Sequence, residues 1–197
     1  MAQQPSVAGV AEESFGKPGW GRTGEFTLNG QRVRYERGAD RLALFSNLTV
    51  SRAPLRYTWS TLAGDSIADC TARQGGLATG SASATIKPWT FNCQWNGNPT
   101  AAMQIGEGQV KRGQVTREGS YSRGELTIGL RSVHLLEGSP LPQSTAVGYE
   151  LLHQGTVVGS LDLSGTVPRL RRPDPATPLG RAVTEAALAL ALVWEPS

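Results

Sequence analysis

Leu179-Gly180-Arg181-Ala182-Val183-Thr184-Glu185-Ala186-Ala187-Leu188-Ala189-Leu190-Ala191-Leu192-Val193-Trp194, near the end of a chain of 197 residues, governs how the remainder must be arranged. Leu and Ala alternate over its second half, which is also the pattern of a strand. Alanine, however, has the best helix propensity and is depleted from strands. Thr177 supplies an N-cap hydroxyl, Pro178 falls at the first helical position, and Pro196 stops the element. The pattern predicts a helix over about 178–194, with a strand as the alternative. From Ala186 onward that helix is apolar on every side, which requires burial on every side or insertion in lipid. Its length of about 25 Å is short for a bilayer span but long enough to thread a small barrel.

The residues before it read as a succession of hairpins. In Glu25-Phe26-Thr27-Leu28-Asn29-Gly30-Gln31-Arg32-Val33-Arg34-Tyr35-Glu36, apolar and polar residues alternate on both sides of Asn-Gly, the preferred centre of a two-residue turn. Tyr149 to Leu163 repeats the design around Gln154-Gly155. Between them Leu55, Tyr57 and Trp59, then Trp89, Phe91, Cys93 and Trp95, then Leu126 to Leu135 keep a strand period, and 66–73 reads as strand rather than short helix. No long polar linker interrupts the series. The expected organisation is a flexible N-terminal segment over 1–22, with Trp20 as its docking point, and one domain over 23–197. That domain is expected to be mostly β: a closed or nearly closed antiparallel β-barrel of short hairpins enclosing the C-terminal helix, since closure removes strand edges.

Hairpins followed by one wholly apolar C-terminal helix, carried here by Tyr149–Leu163 and Leu179–Trp194, resemble the tubby-like barrel. That group includes tubby C-terminal domains, plant LURP-one-related proteins and phospholipid scramblases. The resemblance implies a closed sheet about a central hydrophobic helix, phosphoinositide binding in the tubby case and lipid-linked roles in the scramblase case. No lipid-binding motif of these families maps onto residues of this chain, and the palmitoylation and calcium features of scramblases are not evident. Positive charge rests on Arg, with Lys17, Lys87 and Lys111 the lysines. That usage points to a bacterial source, for which phosphoinositide is not the expected ligand.

The formal net charge of +3 and pI of about 9.1 are too dispersed for a nucleic-acid binder. Two clusters stand out: Arg32 and Arg34 on the polar face of the first hairpin, and Arg169, Arg171 and Arg172 before the helix. Paired guanidiniums suit a phosphate headgroup or an acidic partner, with a solvated surface as the alternative. Trp59, Trp89, Trp95 and Trp194 fall at core positions, leaving Trp20 as an exposed contact. For catalysis, Ser132 and His134 share a strand face, His153 stands alone, and Asp65/Asp69 and Glu118/Glu125 are spaced acids. The leading expectation is a non-enzymatic binding or structural protein whose partner is an anionic lipid or a protein. The alternatives are a small hydrolase using His134 or an acidic pair, and a structural subunit of an envelope complex.

No cofactor is expected, and no metal, because two cysteines and two distant histidines lack ligand spacing. Cys70 and Cys93 form either a disulfide, if their strands pair, or two separate buried thiols. The polar start lacks a leader's basic and apolar regions and resembles a mature N-terminus. Together with the disulfide reading it favours an extracytoplasmic compartment, periplasmic or secreted.

Overall fold

The computed structural model describes residues 1, 7, 9–19, 21–44, 48–79, 82–97, 99–111 and 114–194, giving the backbone alone at 41–44, 48, 77–79, 82–86 and 109–111. The strands are β1 (Glu12–Ser14), β2 (Thr23–Leu28), β3 (Gln31–Arg37), β4 (Asp40–Leu44), β5 (Leu48–Thr61), β6 (Gly64–Thr79) and β7 (Ala82–Trp95). They continue with β8 (Ala101–Lys111), β9 (Gln114–Arg123), β10 (Leu126–Val133), β11 (Gly148–His153), β12 (Thr156–Asp162) and β13 (Arg169–Arg171), before the helix α1 (Pro178–Leu192). Twelve of them run in the order β1-β13-β12-β11-β10-β9-β8-β7-β6-β5-β3-β2, and β4 branches off by pairing with β5. The fold is the expected one: an antiparallel, nearly closed barrel with a single C-terminal helix.

The local reasons are those of the sequence. Asn29 and Gly30 adopt φ of 49° and 74°, and Gln154 and Gly155 adopt 51° and 80°, the doubly positive geometry of a two-residue hairpin turn. Alternation then sends one side of each strand inward: Val33 and Tyr35, Leu55, Tyr57 and Trp59, Trp89, Phe91 and Trp95 are all buried. Within the barrel α1 is buried from Gly180 to Leu190 save Arg181. Thr177 Oγ1 accepts the Gly180 N–H at 3.0 Å, with Pro178 at the start of the helix. The helix ends at Leu192, two residues before the expected limit, because Val193 turns to an extended backbone. Arg37 covers that end. It donates to Leu192 O at 3.1 Å and lies 4.7 Å from the Trp194 ring centroid, a cation set against the negative pole of the helix. Burial lowers its pKa from the usual arginine value.

Closure depends on the N-terminal segment, which the sequence leaves without a readable period. Glu12, Glu13 and Ser14 pair with Arg171, Leu170 and Arg169 of β13. One residue later Phe15 donates to Pro168 O at 3.0 Å and bridges Leu28, and Gly16 donates to Thr27 O at 2.7 Å. The chain thus crosses from β13 at one sheet edge to β2 at the other. A Cβ on Gly16 would stand 2.9 Å from Thr27 N, so the crossing needs glycine. The expectation of a flexible segment over 1–22 is corrected at 12–16: these residues are held by backbone pairing that only the closed sheet provides. Trp20 lies outside the described residues.

Cys70 and Cys93 sit opposite each other in the β6–β7 register, inward-facing and bonded, with Cα atoms 4.0 Å apart. The disulfide alternative is the one realised.

Candidate anion-binding face

The barrel interior holds a satisfied polar network within the packed core. Glu185, fully buried on α1, is bound by Arg123 Nη2 at 3.0 and 2.8 Å, by Ser66 Oγ at 2.8 Å, by Tyr121 OH at 2.5 Å and by Arg181 Nε at 3.1 Å. Five donations exhaust a carboxylate that offers about four lone-pair sites. Tyr57 OH donates to the backbone oxygen of Glu185 at 2.7 Å and accepts from Trp95 Nε1 at 2.8 Å. Burial, and then the Glu185 charge, pushes the phenols of Tyr57 and Tyr121 above the usual tyrosine range. No sequence pattern singles out this network. The available hint is Glu185 itself, four residues after Arg181 on a helix that has to be buried.

The candidate catalytic residues meet only in part. Ser132 Oγ lies 3.0 Å from His134 Nε2, as their shared strand face predicts. His134 Nδ1 is 3.1 Å from Gln143 O, an acceptor, so Nδ1 carries the proton and Nε2 accepts from Ser132. Ser132 Oγ in turn accepts the Arg117 N–H at 2.8 Å. Both side chains are buried and the serine already has its partners, so the pair ties the segment after β10 to the barrel wall. Asp65 and Asp69 lie four residues apart on β6, about 14 Å at strand rise. Glu118 faces Arg131 across β9–β10, whereas Glu125 lies in the turn before β10, six residues ahead of Arg131 and about 20 Å away at strand rise. Glycosidase carboxylates work within about 10 Å of each other, so neither couple makes an acid pair. His153 rests its Nδ1 3.0 Å from Thr127 O.

The five arginines expected to bind a ligand are engaged within the molecule. Arg32 and Arg34 both pair with Glu25, at 3.2 and 2.8 Å, and the Arg34 hydrogen bond holds that carboxyl below its usual range. Arg169 and Arg171 pair with Glu12 at 3.4 and 3.1 Å. Arg172, buried, pairs with Glu13 at 2.6 Å and donates to Thr184 Oγ1. The second cluster is thus the clamp that seats β1 on β13, with its carboxylates supplied from residues distant in sequence.

Free cationic chemistry lies elsewhere, on the outer wall of β3, β5, β6 and β7. There the sheet forms a concavity of about 700 Å³ lined by five arginines, at 22, 37, 52, 56 and 73, and three carboxylates, Glu36, Asp40 and Asp69. Arg37 is turned inward to the helix end, and Arg56 lies 3.6 Å from Asp69. Arg52 and Arg73 are direct cross-strand partners, both exposed, and among the described residues no ion pair joins either of them, or Arg22, to a carboxylate. Asp40 stands opposite Arg52 on the other side, also without an ion pair. Two guanidinium-bearing residues whose Cβ atoms are about 5 Å apart repel one another when nothing lies between them. Composition offers no cue to this pair, because Arg52 and Arg73 are far apart in sequence and share no local motif.

The fold and this wall define a class: a helix-filled β-barrel with a cationic outer recess. Comparison with protein-family models, with curated proteins and with solved structures gave no match.

Proposed function

We propose that this protein is a non-enzymatic binding module that takes an anionic group, of phosphate or carboxylate chemistry, in the recess around Arg52 and Arg73. The observation that carries the reading is the like-charged pair itself: two exposed arginines in direct register on a concave wall, neither joined to a carboxylate by an ion pair among the described residues. Planar guanidiniums side by side match the oxygens of a phosphate or carboxylate, and an anion between them removes their repulsion. Arg22 at the rim adds a third donor group. The filled interior and the enclosed Ser132–His134 pair support binding over hydrolysis. Kinship with the tubby-like barrels belongs to the same reading, supported by the central buried helix, and so does a place outside the cytoplasm, supported by the Cys70–Cys93 bond.

Titration calorimetry with inorganic pyrophosphate, beside flotation with phosphatidylcholine vesicles containing or lacking phosphatidylglycerol, tests it. Pyrophosphate or the anionic vesicles should bind, and each of Arg52→Ala and Arg73→Ala should weaken that binding by about tenfold. Arg32→Ala/Arg34→Ala should leave it unchanged. Equal affinity of the wild-type chain and the Arg52→Ala/Arg73→Ala variant for every probe, or no binding to any, rejects the reading.

A further inference from the structure

The arginine recess does not end at β7. It shares Asn92, Cys93 and Gln94 with a second hollow, of about 260 Å³, on the outer wall of β7, β8 and β9. The register that joins the two is regular. Ala68–Arg73 of β6 pairs without a break with Thr90–Trp95 of β7, and the irregularities of that ladder lie beyond Arg73. Thr90–Trp95 pairs in turn with Ala101–Gly106 of β8, and Ala101–Glu107 with Arg117–Arg123 of β9.

Burial fixes which side chains reach this wall. Cys70, Phe91, Cys93, Met103 and Tyr121 are buried, so alternation turns Thr71, Asn92, Gln94, Gln104, Ser120 and Ser122 outward. Thr71, Asn92, Gln104 and Ser120 are successive cross-strand partners, and Gln94, Ala102 and Ser122 form the next row. The first row begins two residues from Arg73 along β6. From there to Ser120 on β9 is three strand spacings, about 14 Å. No charged side chain lines the second hollow. Among the described residues, none of the six outward polar side chains makes a hydrogen bond within the protein.

Amides and hydroxyls both donate and accept, which is what adjacent ring hydroxyls of a sugar require. Tyr57, Trp59, Trp89, Phe91, Trp95 and Tyr121 are buried, so among the described residues these strands present no ring on which a nucleobase could stack. Neutral hydrogen bonds largely exchange water for ligand, whereas those from a guanidinium to a carboxylate are roughly twice as strong. A trough that is cationic at one end and neutral but hydrogen-bonding along the rest therefore suits a ligand anchored by charge and read through its hydroxyls.

We infer that the trough binds an acidic oligosaccharide of uronate type, one carboxylate held by Arg52 and Arg73 and the ring hydroxyls by Asn92, Gln104 and Ser120. The inference rests on the proposed anion site and names its ligand class. Charge complementarity selects the acidic end, and the charge-free rows select the polyol.

Titration calorimetry with galacturonate and mannuronate trimers, their monosaccharides, maltotriose and pyrophosphate tests it. At least one uronate trimer should bind about tenfold more tightly than its monosaccharide, with maltotriose weaker than either. Gln104→Ala/Ser120→Ala, both exposed positions outside the arginine recess, should weaken the trimer about tenfold and leave pyrophosphate unchanged. Arg52→Ala/Arg73→Ala should weaken the trimer about a hundredfold. Binding of pyrophosphate or of anionic vesicles without binding of any uronate overturns the inference and leaves the arginine site standing. Trimer affinity equal to that of the monosaccharide, or unchanged by Gln104→Ala/Ser120→Ala, does the same. Maltotriose binding as tight as the uronate trimers shows that charge is not read and overturns the inference. Failure of every probe removes the anion site and the trough together.

Discussion

Glu185 is the residue on which the inside of the barrel is organised. A carboxylate taken wholly out of water is tolerable only when its lone pairs are filled, and the donors come from β6, β9 and the helix itself. Glu185→Gln would leave Arg123 and Arg181 facing a neutral amide. The expected loss is about 3 kcal/mol, the low end for breaking a buried pair because both arginines retain some access to water. The urea midpoint reports it. Tyr57 and Tyr121 add an alkaline limit. Their folded-state pKa values lie above the ordinary tyrosine value of about 10, so above about pH 10 the unfolded chain binds fewer protons than the folded one. The stabilisation is fully present below pH 10 and falls as pH rises beyond it. Unfolding midpoints from pH 8 upward should decline past about pH 10, and Tyr121→Phe should make the decline shallower. None of these partnerships is readable along the chain. Burial of the helix was predictable, but which strand residues surround Glu185 depends on register and closure.

Among the elements, the hairpins and the helix were legible because their determinants are local. Asn-Gly and Gln-Gly fix turns, and Thr177 with Pro178 fixes a helix start, whatever surrounds them. The full length of β6 and β7 was not legible, since Gly75–Ser83 has an irregular pattern and glycines that read equally as loop. What continues them as strands is pairing with one another. The Cys70–Cys93 bond staples two of these long strands at opposed positions. For a sequence separation of 23, loop-closure entropy puts its contribution at about 3 kcal/mol. Cys70→Ser/Cys93→Ser should therefore lower unfolding free energy by about that amount, with the β-rich circular dichroism spectrum unchanged below the transition. A variant as stable as the wild type would show the bond to be dispensable.

For the whole molecule, the decisive event is closure by residues 12–16. Until β1 joins β13 and Phe15–Gly16 joins β2, the sheet has two open edges. Glu12 and Glu13, neutralising Arg169, Arg171 and Arg172, lock that seam. Glu12→Ala/Glu13→Ala should speed amide exchange in β2 and β13 by at least about tenfold, because Arg172 loses its carboxylate inside the barrel wall. The β9–β10 amides, far from the seam, should keep their protection. Uniform acceleration would instead mark a global loss of stability, and no change would show that backbone pairing alone holds the seam.

The chain by itself determined where strands turn, where the helix starts, and that an element apolar on all sides has to be enclosed, because turn chemistry, capping and periodicity act within a few residues. It also named Ser132–His134 and Cys70–Cys93, each set by a simple geometric relation: two positions along one strand, or two facing strands. Tertiary structure alone decided which charges are spent and which are free. Arg32, Arg34, Arg169, Arg171 and Arg172 meet carboxylates, whereas strand register sets Arg52 beside Arg73 in spite of their repulsion, since Coulomb forces depend on distance in space and register brings together residues that sequence keeps apart.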